Sequence, residues 1–196
     1  MAVINYSSKE INTKIVYYGP GLGGKTANVQ YIYEKTRDRI GAKLISFATD
    51  HERTLFFDFL PINLAAINGY NVRFHLYTVP GQTYFTASRR LILRNVDGII
   101  FVADSQPDRL DANVGSLLDL EANLKEYNLD PTAIPFVIQY NKRDIVGALD
   151  VRFLDLQLNW YKVPYFLTVA SEGINVFETF KFVAQRIIKN LRDQNI

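Results

Sequence analysis

The 196-residue sequence contains no cysteine, and this absence excludes several kinds of chemistry. Without thiols the chain can form no disulfide, thiolate metal site or cysteine nucleophile, and it offers no acceptor for prenylation or palmitoylation. With only two histidines, it also has too few ligands to favour a transition-metal site. A large excess of charge is lacking as well: the net charge is +2, which gives no support for nucleic-acid binding.

Long apolar runs are also missing. No stretch of about 18 or more apolar residues occurs, and the first residues lack the basic region and apolar run of a signal peptide. We therefore expect a cytoplasmic protein without direct membrane insertion. The length, together with 48% hydrophobic and 21% charged residues, predicts one domain over residues 1–196 with a substantial core.

The most informative segment present is Gly19-Pro20-Gly21-Leu22-Gly23-Gly24-Lys25-Thr26, which fits the pattern Gly-x4-Gly-Lys-Ser/Thr at every fixed position. Such a loop points backbone N–H groups at phosphate oxygens, and the helix that follows adds positive potential. Lys25 is expected to reach the β- and γ-phosphates and Thr26 to bind Mg²⁺. A strand-like run at 11–18 and apolar residues at helical spacing over 29–33 supply the required context. The predicted phosphate-binding residues are Gly19, Pro20, Gly21, Leu22, Gly23, Gly24, Lys25, Thr26 and Ala27.

Strand-like and helix-like patterns alternate along the rest of the chain. Strand patterns cover 44–47, 55–60, 72–79, 98–103, 135–140 and 164–169, and helix patterns cover 88–93, 111–127 and 176–191. This alternation favours an α/β fold with a mostly parallel central sheet and helices on both faces. The runs at 55–60 and 72–79 are joined through Pro61 and the turn signal Asn68-Gly69, which predicts one antiparallel strand pair.

A second motif, Asn141-Lys142-Arg143-Asp144, follows the strand at 135–140. The carboxylate of Asp144 can accept hydrogen bonds from N1–H and the exocyclic amine of guanine, whereas adenine offers neither donor there. The aliphatic stem of Lys142 can cover the face of the base. Val169, Ala170 and Ser171, after a later strand, are expected to contribute backbone contacts to the base. These residues favour a guanine site over a P-loop ATPase or kinase.

Together these residues resemble the Ras-like small GTPase superfamily, and longer strings resemble the bacterial MglA family. The strings are residues 14–21, 53–61, 77–82 and 140–144. The resemblance implies a Ras-like P-loop fold and a GTP-hydrolysing switch, with Mg²⁺ and bound GTP or GDP, that regulates cell polarity and motility by gliding or type IV pili. It also implies a homodimeric roadblock-type MglB activator, polarity or motility effectors, and recruitment to a cell pole.

The segment Thr78-Val79-Pro80-Gly81 stands where most small GTPases have Asp-x-x-Gly, although the MglA family shares the threonine. Thr78 carries a hydroxyl but no charge, so we expect weaker protein support for the metal. Gly81 is expected to bind the γ-phosphate through its N–H group. Thr54 is the predicted switch threonine that contacts Mg²⁺ or the γ-phosphate, with Thr49 as a rival.

The predicted catalytic residues are Gln82 and Arg53. Gln82 would orient the attacking water. The resemblance implies that Arg53 is a built-in arginine finger that stabilises charge in the transition state. We expect slow hydrolysis without a partner, because both residues must be ordered together. The alternative is a GTP-dependent scaffold with little intrinsic hydrolysis.

Two further groups of residues are expected to be structural. Arg89, Arg90 and Arg94 are expected to form a solvated helix face, with a patch for an acidic partner as the alternative. His75 alternates with strand residues and is predicted to be a packed histidine rather than a ligand.

Overall fold

Strand β2 (Glu10–Tyr18) lies at the centre of the sheet and buries apolar side chains on both faces. Ile11, Ile15 and Tyr17 point into one core, and Val16 and Tyr18 point into the other. All five are fully buried. Residues 15–18 form a continuous apolar run, as expected where a strand is covered on both faces.

The computed structural model describes residues 2–40, 45–48, 54–81 and 86–193. Within these ranges the strands are β1 (Val3–Asn5), β2, β3 (Ile45–Ala48), β4 (Thr54–Ile67), β5 (Tyr70–Thr78), β6 (Gly98–Asp104), β7 (Phe136–Asn141) and β8 (Tyr165–Leu167). The helices are α1 (Lys25–Ile40), α2 (Thr86–Leu93), α3 (Leu110–Glu126), α4 (Val151–Leu158) and α5 (Val176–Asp193).

The strand order is β3-β4-β5-β2-β6-β7-β8, with β1 paired to β2. β5 and β6 flank β2, and both pairs are parallel, as are β6–β7 and β7–β8. The predicted antiparallel pair is β4–β5. Two further antiparallel pairs, β1–β2 and β3–β4, were not anticipated. The mostly parallel Ras-like sheet predicted from the sequence is thus confirmed, with these two pairs added.

The hairpin differs from the prediction in the length of β4. This strand does not end before Pro61 but continues to Ile67, and Pro61 lies opposite His75 of β5. Among the described residues, the pairing of β3 with β4 ends at Phe59, and no described residue of β3 lies opposite Pro61. Proline lacks an N–H donor and is tolerated where no ladder hydrogen bond from that position is needed.

Helices cover both faces of the sheet, as predicted. α1 and α5 pack on the face that contains Ile15, and α2, α3 and α4 pack on the face that contains Val16. α4 was missed by the sequence analysis, although Leu154 and Leu158 are fully buried at helical spacing. Asp150 caps its first turn by accepting from the N–H groups of Arg152 and Phe153.

The direction of the parallel strands brings the loops that follow β2, β5, β6, β7 and β8 to one edge of the sheet. Ligands in open α/β sheets bind at this edge, at the point where successive connections lead to opposite sides of a central strand. Here that strand is β2, with β5 on one side and β6 on the other. Every predicted nucleotide-binding residue from Gly19 to Ala27, and from Asn141 to Asp144, lies there. None of the helices in the described ranges combines the length and apolar character that a membrane crossing requires.

Candidate functional site

The loop between β2 and α1 has the tight backbone that its glycines predict. Gly19 has φ +139° and Gly24 has φ +103°, which lie in the left-handed region that favours glycine. A Cβ atom at position 19 would overlap the carbonyl oxygen of Val102, and one at position 24 would overlap the side-chain amide of Asn141. These two glycines are therefore required by the close approach of neighbouring strands to the loop.

Lys25 holds its ammonium over this loop. Its Nζ donates to the carbonyl oxygens of Gly19 at 2.9 Å and Pro20 at 2.6 Å, and the residue is buried. The ammonium of Lys25 is therefore held against the loop and places a positive charge at the start of α1. The first turn of α1 contains no acidic residue, so nothing in that turn offsets the positive potential that attracts phosphate.

The remaining loop residues surround this charge. Pro20 accepts from the N–H of Gly23 at 3.3 Å, and Asn28 donates its N–H to Gly24 at 3.1 Å to begin the helix. Leu22 is exposed and has φ +64°. Thr26 and Ala27 form the first turn of α1 and are partly buried.

Asn141 joins the phosphate loop to the base-binding loops. This buried residue donates from Nδ2 to the carbonyl of Gly23 at 2.8 Å. Its Oδ1 accepts from the N–H of Ala170 at 2.9 Å and from the hydroxyl of Thr168 at 3.1 Å. One side chain therefore fixes the relative positions of three loops, since an amide can donate and accept at once.

The rest of the predicted base site lies around Asn141. Asp144 is exposed at the end of β7, where its carboxylate can accept from a base. Val169 and Ala170 are buried, whereas Ser171 is exposed. Lys142 has φ +64° and donates from Nζ to Asp104 at 2.6 Å and to Oε1 of Gln106 at 3.0 Å.

Sequence reasoning missed the residues that follow β6. Asp104 ends this strand and is fully buried, and Arg109 lies in a short 3₁₀ helix at Pro107–Arg109. Arg109 donates from Nη2 to the carbonyl of Gly21 at 2.7 Å, and its Nε lies 3.8 Å from Oδ2 of Asp104. The signal available in the sequence was the position of Asp104 directly after the apolar run at 98–103. The structure places it next to Asn141 in the sheet.

Thr78 ends β5 and is fully buried opposite Tyr17 of β2, two residues before the phosphate loop. Gly81 lies against the loop, where a Cβ atom on it would overlap the backbone of Gly21. The backbone of Thr54 begins β4, and its side chain lies outside the part that the structure describes. The predicted catalytic residues Arg53 and Gln82, and the rival Thr49, lie outside the described residues.

A buried polar cluster connects the phosphate-loop strand to α2. The carboxylate of Asp119 on α3 accepts from the hydroxyl of Tyr18 and lies 3.3 Å from Nη1 of Arg89. Burial raises the pKa of the Tyr18 hydroxyl far above its ordinary value, so this group stays protonated and donates. Arg89 is buried, which corrects the expectation that it lies on a solvated face. Nη2 of the neighbouring Arg90 lies 2.6 Å from Oε1 of Glu126.

Comparison with known proteins agrees with this geometry. The model of the ADP-ribosylation factor family matches residues 49–192. "Mutual gliding-motility protein MglA" of Myxococcus xanthus is 55% identical over 192 residues, which cover 98% of each chain. Ras-related protein Rab-7a of Dictyostelium discoideum is 26% identical and covers 93% of this chain and 86% of its own. Ras-related protein Rab7 of Glycine max is 27% identical, with 93% and 85% covered.

The match to the family model begins at residue 49 and so does not cover the phosphate loop, but the match to the Myxococcus protein extends over nearly the whole chain. Sequence motifs, fold and relatives therefore agree on one family. This chain belongs to the MglA-type Ras-like small GTPases, which bind guanine nucleotide and hydrolyse GTP.

Proposed function

We propose that this chain is a GTP-dependent switch that controls cell polarity and motility, by gliding or type IV pili. The observation that carries the proposal is the 55% identity over 98% of the chain with a protein named for mutual gliding motility. The site geometry supports it, because Asn141 ties the phosphate loop to the base loops. The switch would act in the cytoplasm and be recruited to a cell pole.

The phosphate half of the site is assigned to the loop and Lys25. Lys25 already rests on two loop carbonyls, so it needs little rearrangement to meet the β- and γ-phosphates. The N–H groups from Gly19 to Ala27 supply the remaining donors. The base half is assigned to Asn141, Lys142, Asp144 and the segment from Val169 to Ser171, with Asp144 reading guanine.

The donor set fits a Mg²⁺ ion bound mainly by phosphate and water. No cluster of three or more histidine, aspartate or glutamate side chains able to hold a metal occurs in the described ranges. Mg²⁺ commonly keeps several waters and takes few protein ligands, and the hydroxyls of Thr26 and Thr54 are the proposed ones. When bound, the ion neutralises charge on the phosphates. Thr78 adds a neutral oxygen at the end of β5, in place of a carboxylate.

Hydrolysis is assigned to Gln82, which orients the attacking water, and to Arg53, which stabilises charge in the transition state. Gly81 would bind the γ-phosphate through its N–H and so distinguish GTP from GDP. We propose that a roadblock-type MglB homodimer orders these groups, that hydrolysis is slow without it, and that polarity or motility effectors bind the GTP form.

Single-turnover hydrolysis of GTP, with and without a roadblock-type homodimer, tests the assignment. The homodimer should accelerate the wild-type chain by about 10³-fold or more, because an arginine finger held in place is worth about 10³–10⁵-fold in kcat. Gln82→Leu and Arg53→Ala should each remove most of this acceleration. Gln157→Leu and Arg152→Ala, at exposed positions of α4, are matched controls and should hydrolyse at the wild-type rate.

If neither Gln82→Leu nor Arg53→Ala slows the stimulated reaction, the catalytic assignment is wrong. If GTP is bound but no homodimer stimulates hydrolysis, a GTP-dependent scaffold explains the chain better. In the organism that encodes it, deletion should abolish directed surface movement, and retained movement would contradict the role in motility.

A further inference from the structure

The carboxylate of Asp104 is fully buried at the end of β6, beside the proposed base site. Its Oδ2 accepts from Nζ of Lys142 at 2.6 Å, and its Oδ1 accepts from the N–H of Gln106 at 3.1 Å. The backbone of Asp104 is fixed as well. Asn113 of α3 accepts from its N–H at 2.9 Å and donates to its carbonyl at 2.8 Å. Asp104 is thus held in one orientation by groups other than Lys142.

This anchor determines where the side chain of Lys142 lies. The ammonium is bound both by Asp104 and by Oε1 of Gln106 at 3.0 Å. Asp104 and Asn141 are neighbours across β6 and β7, so the stem of Lys142 runs from the end of one strand to the end of the next. That path follows the edge of the sheet where the base-binding residues lie.

A contribution to folding stability does not by itself explain the ion pair between Asp104 and Lys142. A buried carboxylate loses its hydration, and the gain from partly exposed cations, here Lys142 at 2.6 Å and Arg109 at 3.8 Å, often only offsets that loss. Lysine also has one of the largest losses of side-chain entropy when it is fixed. An arrangement that fixes the side chain before a ligand arrives moves this loss out of the binding step.

We propose that Asp104 is a positioning residue of the nucleotide site. It holds Lys142 so that the aliphatic stem is ready to cover one face of the guanine base. The inference rests on the proposed base site, but it adds a residue that lies outside both sequence motifs.

A double-mutant cycle on release of the fluorescent nucleotide mant-GDP tests the coupling. The four proteins are wild type, Asp104→Asn, Lys142→Met and the double variant. Asp104→Asn is nearly isosteric and keeps an acceptor for Gln106, yet it removes the charge that holds Lys142. We expect it to accelerate release about tenfold, the order of one charge-assisted hydrogen bond. In the Lys142→Met background its effect should be clearly smaller, because only the contact at 3.8 Å between Oδ2 of Asp104 and Nε of Arg109 is then left to lose.

The matched control is Asp108→Asn, the same chemical change at an exposed residue of the adjacent 3₁₀ helix. It should leave the release rate unchanged. The ratio of GDP to XDP affinity should also be unchanged in Asp104→Asn, because Asp144 reads the base. An equal effect of Asp104→Asn with and without Lys142, or a collapse of that ratio, would overturn the inference.

Thermal unfolding without added nucleotide checks that each variant folds. Should Asp104→Asn fail to fold, Gln106→Ala removes the second acceptor of Lys142 and should accelerate release about threefold, again only when Lys142 is present. A wild-type chain that does not prefer mant-GDP to adenine nucleotides contradicts the proposed function itself. Normal wild-type binding with no coupling contradicts only the role of Asp104.

Discussion

Gly81 packs directly on the backbone of Gly21, and the contact leaves room for a side chain on one partner only. A Cβ atom on Gly81 would overlap the Cα and the amide nitrogen of Gly21. A Cβ atom on Gly21 would lie 3.5 Å from the carbonyl oxygen of Gly81, which is ordinary van der Waals contact. The two glycines, one from each half of the proposed γ-phosphate site, are therefore not equivalent.

We expect Gly81→Ala to destabilise the GDP-bound protein by about 1–3 kcal/mol, the usual cost of overpacking. For a chain of this size, that corresponds to a fall of roughly 3–10 °C in the unfolding midpoint. Gly21→Ala should change the midpoint by less than about 2 °C. Thermal unfolding followed by circular dichroism measures both, and equal shifts in the two variants would contradict the predicted asymmetry.

Asn141→Ala should destabilise the protein and weaken nucleotide binding together. The substitution leaves the carbonyl of Gly23 and the N–H of Ala170 without their partner, and each such buried group costs about 1–3 kcal/mol. We expect a loss of about 2–4 kcal/mol in urea unfolding and a GDP affinity at least about tenfold lower. Asn190→Ala, at an exposed position of α5, is the control. Loss of affinity at unchanged stability would show that Asn141 does not join the loops.

Asp144→Asn should change the preferred base rather than abolish binding. Xanthine carries a carbonyl where guanine carries its exocyclic amine, so the amide of asparagine can donate where the carboxylate accepted. We expect the ratio of GDP to XDP affinity to fall by about a hundredfold or more, because a site that hydrogen-bonds one base rejects a base that leaves its polar groups unpaired. Competition of GDP and XDP for mant-GDP measures this ratio. An unchanged ratio would remove Asp144 from the base site.

Stability should depend on pH through His75. Burial, followed by the charge of Arg73, lowers the pKa of His75 below its ordinary value of 6.5. Lys14 also lowers it and Glu10 raises it. The unfolded chain therefore binds more protons between the native pKa and about 6.5, so the free energy of unfolding falls as the pH drops through this window.

His75→Gln removes this titration and keeps a donor for Oδ1 of Asn12, which lies 2.7 Å from Nε2 of His75. Urea unfolding at about pH 7.5, 6.5 and 5.5 should show a wild-type curve that falls more steeply toward acid than that of the variant. Parallel curves would mean that the imidazole does not titrate differently in the folded state.

Local sequence patterns were sufficient to predict the backbone elements that carry the site. The glycines and Lys25 require one backbone geometry, and the apolar run of β2 requires cover on both faces, so loop and central strand could be predicted. The pairs that complete the site could not. Asp104 meets Lys142 and Arg89 meets Asp119 across separations of 38 and 30 residues. Of these four residues only Lys142 belongs to a motif, so the sequence did not indicate its partner or the second pair.

Two elements of the fold differ from what the sequence indicated. Pro61 indicated the end of a strand, but β4 passes through it and pairs with β5 as far as Ile67. α4 was missed although it is as long as the predicted α2, with Leu154 and Leu158 at helical spacing. At Pro61, pairing with β5 decided what the short-range preference of proline left open.

Arg109 provides the last prediction, because its guanidinium connects Asp104 to the phosphate loop. Nη2 donates to the carbonyl of Gly21 at 2.7 Å while Nε faces Oδ2 of Asp104 at 3.8 Å. Arg109→Gln loses the charge at both contacts, and we expect GDP release to accelerate about three- to tenfold. Lysine presents a single ammonium in place of the planar fork, so Arg109→Lys should restore only part of the difference.

Substitution of Arg109 should weaken the binding of the phosphates and leave recognition of the base unchanged. The ratio of GDP to XDP affinity should therefore stay at the wild-type value in both variants, in contrast to Asp144→Asn. Arg152→Gln, at an exposed position of α4, controls for the loss of one positive charge. Attraction between distant charges weakens with salt. An acceleration that disappears at high ionic strength would therefore assign the effect to net charge and not to the contact with Gly21. An equal acceleration in Arg152→Gln would do the same.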